Sequence, residues 1–149
     1  YLPLAPGADE VAMIDELASL AGFSATMDLP AYSAAKAGIH QLSREIAATY
    51  GRDNIRCNVI VPGLVLTPRG LATFTPEQVD LFASETPLTR LPEAEDLANV
   101  AAFLASDAAA MVTGQTITVD GGLTIKLPYW KNKMMASRGE KFTETTFRL

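Results

Sequence analysis

One cysteine, one histidine and one tryptophan occur among 149 residues, and each scarcity closes off a class of protein. The lone thiol, Cys57, cannot form an intrachain disulfide, and no set of histidines, cysteines and carboxylates at metal-ligand spacing accompanies it, so no metal is expected. A chain that needs no disulfide reads as cytoplasmic. Basic clusters are missing from the body of the chain and the net charge is −5, which argues against nucleic acid as a partner. Long apolar runs are missing too: LANVAAFLAS, residues 97–106, is too short to span a bilayer, so no membrane partner is expected. There is no internal repeat, low-complexity linker or visible signal peptide, and a first residue of tyrosine reads as a processed or truncated start. What is present, 48% apolar and 19% charged residues, suits a globular domain with a buried core.

The pattern along the chain predicts an α/β architecture. VAMIDELAS, residues 11–19, reads as a strand, although Asp15 and Glu16 inside it need partners or carry a desolvation cost. From Tyr32 to Tyr50, Ala35, Ile39, Leu42 and Ile46 recur as a helical stripe, and Gly51 stands where a glycine C-cap belongs. IRCNVIVPG, residues 55–63, has the composition of a parallel strand buried on both faces. In TPEQ, Thr75 can cap a helix, Pro76 suits its first position and Gln78 completes a capping box. A further helix starts after Leu91, with Pro92 at its entrance, Glu93, Glu95 and Asp96 at its positive end and a stripe of Leu97, Val100, Ala101 and Leu104. QTITVDGG, residues 115–122, gives a last strand. Right-handed crossovers would join these into a three-stranded parallel sheet whose first strand exposes an edge.

Chemistry concentrates in LPAYSAAKAGIHQL, residues 29–42. Tyr32 and Lys36 lie at i and i+4 and share a helix face. Alone, such a pair reads as surface decoration; alternatively, the ammonium favours the phenolate, as a proton-transfer group needs. Ser33, Ala34, Ala35, Ala37 and Gly38 would let a bulky group approach. Ser19 precedes Tyr32 by thirteen residues, at the carboxyl end of the first strand, where open α/β sheets bind ligands. Pro62, Gly63 and Thr67 fall at the same end of the second strand, so hydroxyl, phenol, ammonium and glycine turn would share one crevice. His40 reads as an exposed or subunit-interface residue, and Cys57 as a small buried hydrophobe.

SLAG ahead of YSAAK, then NIRCNVIVPGLVLTP, then PLTRLPEAEDLANVAAFLASDAAAMVTGQTITVDGG together resemble the short-chain dehydrogenase/reductase family over residues 11–122. The run from Pro87 to Gly122 looks most like the 3-oxoacyl-carrier-protein reductase and sugar-alcohol dehydrogenase branches. The resemblance implies a partial Rossmann-like, doubly wound parallel sheet, the C-terminal half of a family domain at 1–122, with a C-terminal extension at 123–149. It implies an NAD(P)-dependent oxidoreductase that interconverts a secondary alcohol and a ketone, with NAD or NADP as cofactor. Tyr32 would exchange a proton with the substrate oxygen, Lys36 would tune the tyrosine and hold the nicotinamide ribose, and Ser19 would hydrogen-bond the substrate oxygen. Pro62, Gly63, Val65 and Thr67 would form the nicotinamide-side loop. Homo-dimers or homo-tetramers would form through the helix of the Tyr–Lys pair and through the last helix and strand.

Two departures from the family pattern stand out. MIDELAS replaces the usual asparagine and serine ahead of Ser19, and the glycine-rich phosphate-binding turn is missing, Gly7 being the sole glycine before Ser19. The resemblance therefore points to the second half of a reductase, active within a longer chain. The alternative is a non-catalytic fragment or assembly module. The tail, with Tyr129, Trp130, Lys131, Lys133, Arg138 and Lys141, is expected to pack on the rest of the protein or on another subunit.

Overall fold

The computed structural model describes residues 12–25, 29–88 and 90–126. Three parallel strands, β1 (Ala12–Leu17), β2 (Ile55–Pro62) and β3 (Thr116–Val119), form one sheet in the order β1-β2-β3. Ala12 pairs with Ile55 through Leu17 with Ile60, and Val59 pairs with Thr116 through Pro62 with Val119. Among the described residues four α-helices connect and cover them: α1 (Pro30–Tyr50), α2 (Pro68–Thr73), α3 (Pro76–Glu85) and α4 (Ala94–Ala105).

β2 is the buried centre, with every residue from Ile55 to Val61 removed from solvent. Its odd-numbered residues Val59 and Val61 pack with Ala18, Leu20 and Ile39 under α1. Its other face carries Ile60 into a second cluster with Leu104, Ala109, Leu97, Val100 and Ala101 under α4. Helices on both faces make the sheet doubly wound. Both crossovers step the same way across the sheet, yet α1 and α4 cover opposite faces. Two crossovers of one hand would lie on one face, so the uniformly right-handed winding expected from the sequence does not hold.

Polar residues inside β2 are laced to the loop that follows α4. Arg56 donates to Leu104 O at 2.5 Å and Val112 O at 3.3 Å, which places its charge on the carbonyl end of α4. Asn58 donates to Val112 O at 3.1 Å and accepts from Gln115 N at 3.2 Å. Cys57 is fully buried among these residues, as its composition suggested.

The helix starts follow local chemistry. Thr75 accepts from Gln78 N while the Gln78 side chain accepts from Thr75 N, with Pro76 at the first position, so the capping box read in TPEQ is present. At α4, Asp96 accepts from Glu93 N at 2.8 Å and takes a bidentate bond from Arg90 at 2.5 and 2.6 Å. That guanidinium holds the Asp96 carboxyl well below the usual carboxylate range.

Helix α1 forms as its stripe predicts, but Ala35–Ile39–Leu42–Ile46 is not its most buried face: Ser43 and Ala47 are buried toward the sheet, Ile39 and Ile46 are half-buried, Ile39 against Val59 and Val61, and Ala35 and Leu42 are exposed. The small pair lets the helix lie close to β2, which a stripe of leucines would prevent. Gly51 is not a left-handed cap either. At φ −59° it continues into a 3₁₀ turn, Gly51–Asp53, and the left-handed step falls on Asn54 at φ 61°, a residue type whose short polar side chain tolerates it.

Candidate active site

β1 and β2 end side by side, and the chain leaving each strand forms one lip of a cleft of about 640 Å³. The structure brings all seven candidate residues to it: Ser19, Tyr32, Lys36, Pro62, Gly63, Val65 and Thr67. Glu16, Leu17 and Ala18 at the end of β1, Ile60 of β2, and Ala94, Leu97, Ala98 and Ala101 of α4 complete the lining, so the cleft has a polar lip toward α1 and an apolar wall from α4.

Ser19 is extended (φ −159°, ψ 155°) and caps the 3₁₀ turn Leu20–Gly22, its Oγ accepting from Ala21 N at 3.3 Å. A serine hydroxyl has one donor as well as two acceptor lone pairs, so this cap leaves its O–H to donate elsewhere. Tyr32 lies on the first turn of α1 and is 44% exposed, with its phenol within reach of a ligand. Lys36 is one turn further. Its Nζ donates to Leu17 O at 2.9 Å, the carbonyl that ends β1, and lies 5.7 Å from the Tyr32 ring centroid, within cation–π range. The loop after β2 is tied down by Gly63 N to Val119 O at 3.0 Å, by Leu66 N to Pro92 O at 3.4 Å and by Thr67 N to Val65 O at 2.9 Å. Gly63 makes a close approach: a methyl group there would lie 3.0 Å from Asp120 Cα and Cβ.

Glu16 carries the desolvation cost expected of a carboxylate in this strand, whereas His40 differs from its sequence reading. Glu16 lines the cleft, and burial pushes its carboxyl up, with one carboxylate oxygen buried and unpartnered among the described residues. The side chain of Asp15, the other carboxylate of this strand, lies outside the described residues. His40 is not an exposed side chain. Its ring is half-buried, its Nδ1 is 3.1 Å from Thr116 Oγ1, and burial followed by the Arg44 charge lowers its pKa. The start of the tail packs down: Asp120, buried, accepts from Gly122 N and Thr124 N at 2.8 Å and from Thr124 Oγ1 at 2.7 Å, and Lys126 pairs with Glu85. Residues 127–149, with Tyr129 and Trp130, lie outside the described part. Among the described residues no helix is long and apolar enough to cross a membrane, and no three His, Cys, Asp or Glu gather as a metal site.

Comparison with known proteins gives this geometry a context. The family described as Enoyl-(Acyl carrier protein) reductase matches residues 4–124. A 7alpha-hydroxysteroid dehydrogenase of Bacteroides fragilis is 44% identical over 115 residues, covering 77% of this chain and 44% of the relative. A solved 7 alpha-hydroxysteroid dehydrogenase, complexed with NADH and 7-oxo glycochenodeoxycholic acid, superposes with a TM-score of 0.72 at 38% identity, over 74% of this chain and 43% of that one. A gluconate 5-dehydrogenase from Burkholderia cenocepacia, in complex with NADP and tartrate, gives a TM-score of 0.72 at 31% identity over 77% and 46%. This chain thus spans less than half the length of these relatives. With a family match over most of its residues and that fold around its cleft, the chain belongs to the short-chain dehydrogenase/reductase family.

Proposed function

We propose that this chain carries the catalytic half of an NAD(P)-dependent oxidoreductase interconverting a secondary alcohol and a ketone. The observation that supports this most is the convergence of a hydroxyl, a phenol and an ammonium, from Ser19, Tyr32 and Lys36, on one cleft at the carboxyl ends of β1 and β2. The donor set suits a nicotinamide nucleotide. Lys36 has three N–H donors and uses one on Leu17 O, which leaves two for ribose hydroxyls. The Gly63–Thr67 loop adds backbone groups and a hydroxyl, and Ile60, Leu97 and Ala98 offer an apolar surface to a flat ring. NADH and NADP, each named with a solved relative, support either nucleotide.

A bound nicotinamide would give or take the hydride. Tyr32 would donate a proton to the carbonyl oxygen in reduction and remove it from the hydroxyl in oxidation. Ser19 would donate its O–H to that oxygen and stabilise the charge that develops on it. Lys36 would keep a positive charge beside the phenol while fixing the end of β1.

Tyr32→Phe removes the proton carrier and keeps the ring. In the protein as its source makes it, turnover should fall roughly 10²–10⁴-fold, with nucleotide binding by fluorescence titration unchanged. Retained turnover would overturn the proposal.

A second reading, a non-catalytic assembly module, has its own support. Leu42 on α1 is 51% exposed and Phe103 on α4 is 45% exposed, so both helices offer apolar contacts to a second copy. Dimers or tetramers without turnover by the wild-type protein would favour this reading; a monomer by analytical ultracentrifugation would remove it.

A further inference from the structure

The turn that presents Ser19 is gripped at both ends by side chains one helical turn apart on α1. On one side Lys36 Nζ holds Leu17 O at 2.9 Å. On the other, Gly22 lies directly on the His40 ring: a methyl group at Gly22 would sit 2.7 Å from His40 Nε2, 3.0 Å from its Cδ2 and 3.0 Å from the Lys36 carbonyl carbon. The next residue, Phe23, meets the same ring at a centroid distance of 5.5 Å, tilted by 54°. The far edge of the imidazole is fixed to the sheet, Nδ1 lying 3.1 Å from Thr116 Oγ1 on β3. His40 Nε2 is buried with no hydrogen-bond partner among the described residues. A buried bare lone pair is tolerated better than a buried orphan N–H, so Nδ1–H donating to Thr116 is the favoured tautomer.

We propose that His40 is a positioning residue for Ser19. The ring bridges β3 to the 3₁₀ turn Leu20–Gly22 and so sets where the Ser19 hydroxyl stands relative to Tyr32; this rests on the catalytic reading above. The amides of Ala21 and Gly22 report on the turn directly, since they donate to Ser19 Oγ at 3.3 Å and Ser19 O at 2.9 Å. The choice of residue follows from the space. Leucine would fill the volume beneath Gly22 but lose the anchor on Thr116, and valine at Thr116 would remove the same anchor from the other end while preserving shape.

The test compares His40→Leu, Thr116→Val and the double variant with wild type. Each single change should lower kcat roughly 5–10-fold with KM for the nucleotide unchanged. The double variant should be no worse than the poorer single one, because both remove one interaction. Hydrogen exchange at Ala21 and Gly22 should quicken about 10-fold in each variant while the β2 amides keep their wild-type rates. Unchanged kcat, a loss confined to nucleotide KM, or additive losses would overturn the positioning role. If the wild-type protein turned over no alcohol or ketone with either nucleotide, the proposed activity would fall, and the exchange rates would still decide whether His40 holds the turn: unchanged rates refute it, locally faster ones support it.

Discussion

Alanine at Gly63 should destabilise the chain and alanine at Gly38 should stabilise it, because the two added methyl groups meet opposite surroundings. At Gly63 the methyl carbon would lie 3.0 Å from Asp120 Cα and Cβ, well inside the roughly 3.5–4.0 Å at which carbon atoms rest. Neither side can yield easily. Asp120 is buried, and its carboxylate accepts three hydrogen bonds from Gly122 and Thr124. Gly63 is held by its own N–H on Val119 O at 3.0 Å. Overpacking of this kind costs about 1–3 kcal/mol. At Gly38, inside α1, nothing among the described residues beyond its own helix lies within 4 Å of the added methyl, so the alanine contributes its better helix propensity, about 0.5–1 kcal/mol. For a chain of this length each kcal/mol moves the melting temperature by roughly 2–4 °C. Thermal melts followed by circular dichroism should therefore show Gly63→Ala falling and Gly38→Ala rising. Gly63 also begins the loop that lines the cleft, so its variant should bind nicotinamide nucleotide more weakly. A Gly63→Ala protein that melts at or above wild type would refute the packing argument. A lower melting point for Gly38→Ala would mean that the outward face of α1 is covered at that residue.

Leu104→Ala empties a fully buried site between Ile60, Ala109 and the inner face of α4; urea unfolding should show a loss of about 2–5 kcal/mol, and a loss below about 1 would contradict that packing. Glu16→Gln should raise stability, and the gain should depend on pH. The folded carboxyl titrates above the ordinary value of 4.5, so the folded state binds the extra proton and wild-type stability falls as pH rises from 4.5 through the folded value. The difference in melting temperature between Glu16→Gln and wild type should grow over that interval and then level off; a difference that shrinks there would refute the assignment. Tyr32→Phe and the His40 and Thr116 variants test the proposed chemistry and its support.

The amino-acid sequence by itself determined what depends on neighbours along the chain. The capping box at Thr75, the start of α4 behind Pro92 and the β-branched run of β2 rest on local geometry, and each stands where its residues put it. The candidate site was legible for the same reason: Tyr32 and Lys36 are bound by the helical repeat, and Ser19 and the Pro62–Thr67 loop follow strand ends. Tertiary structure decided what depends on which surface is presented to the sheet. A periodic pattern names the apolar faces of α1, but it does not say that Ser43 and Ala47 must face β2 so that helix and strand can approach. Nor does it reveal that His40 reaches across to Thr116, 76 residues away, or that the Glu16 carboxylate ends up in the cleft with one oxygen unpartnered among the described residues. Those placements come from packing between segments distant in sequence, where burial and available space, rather than propensity, set the outcome.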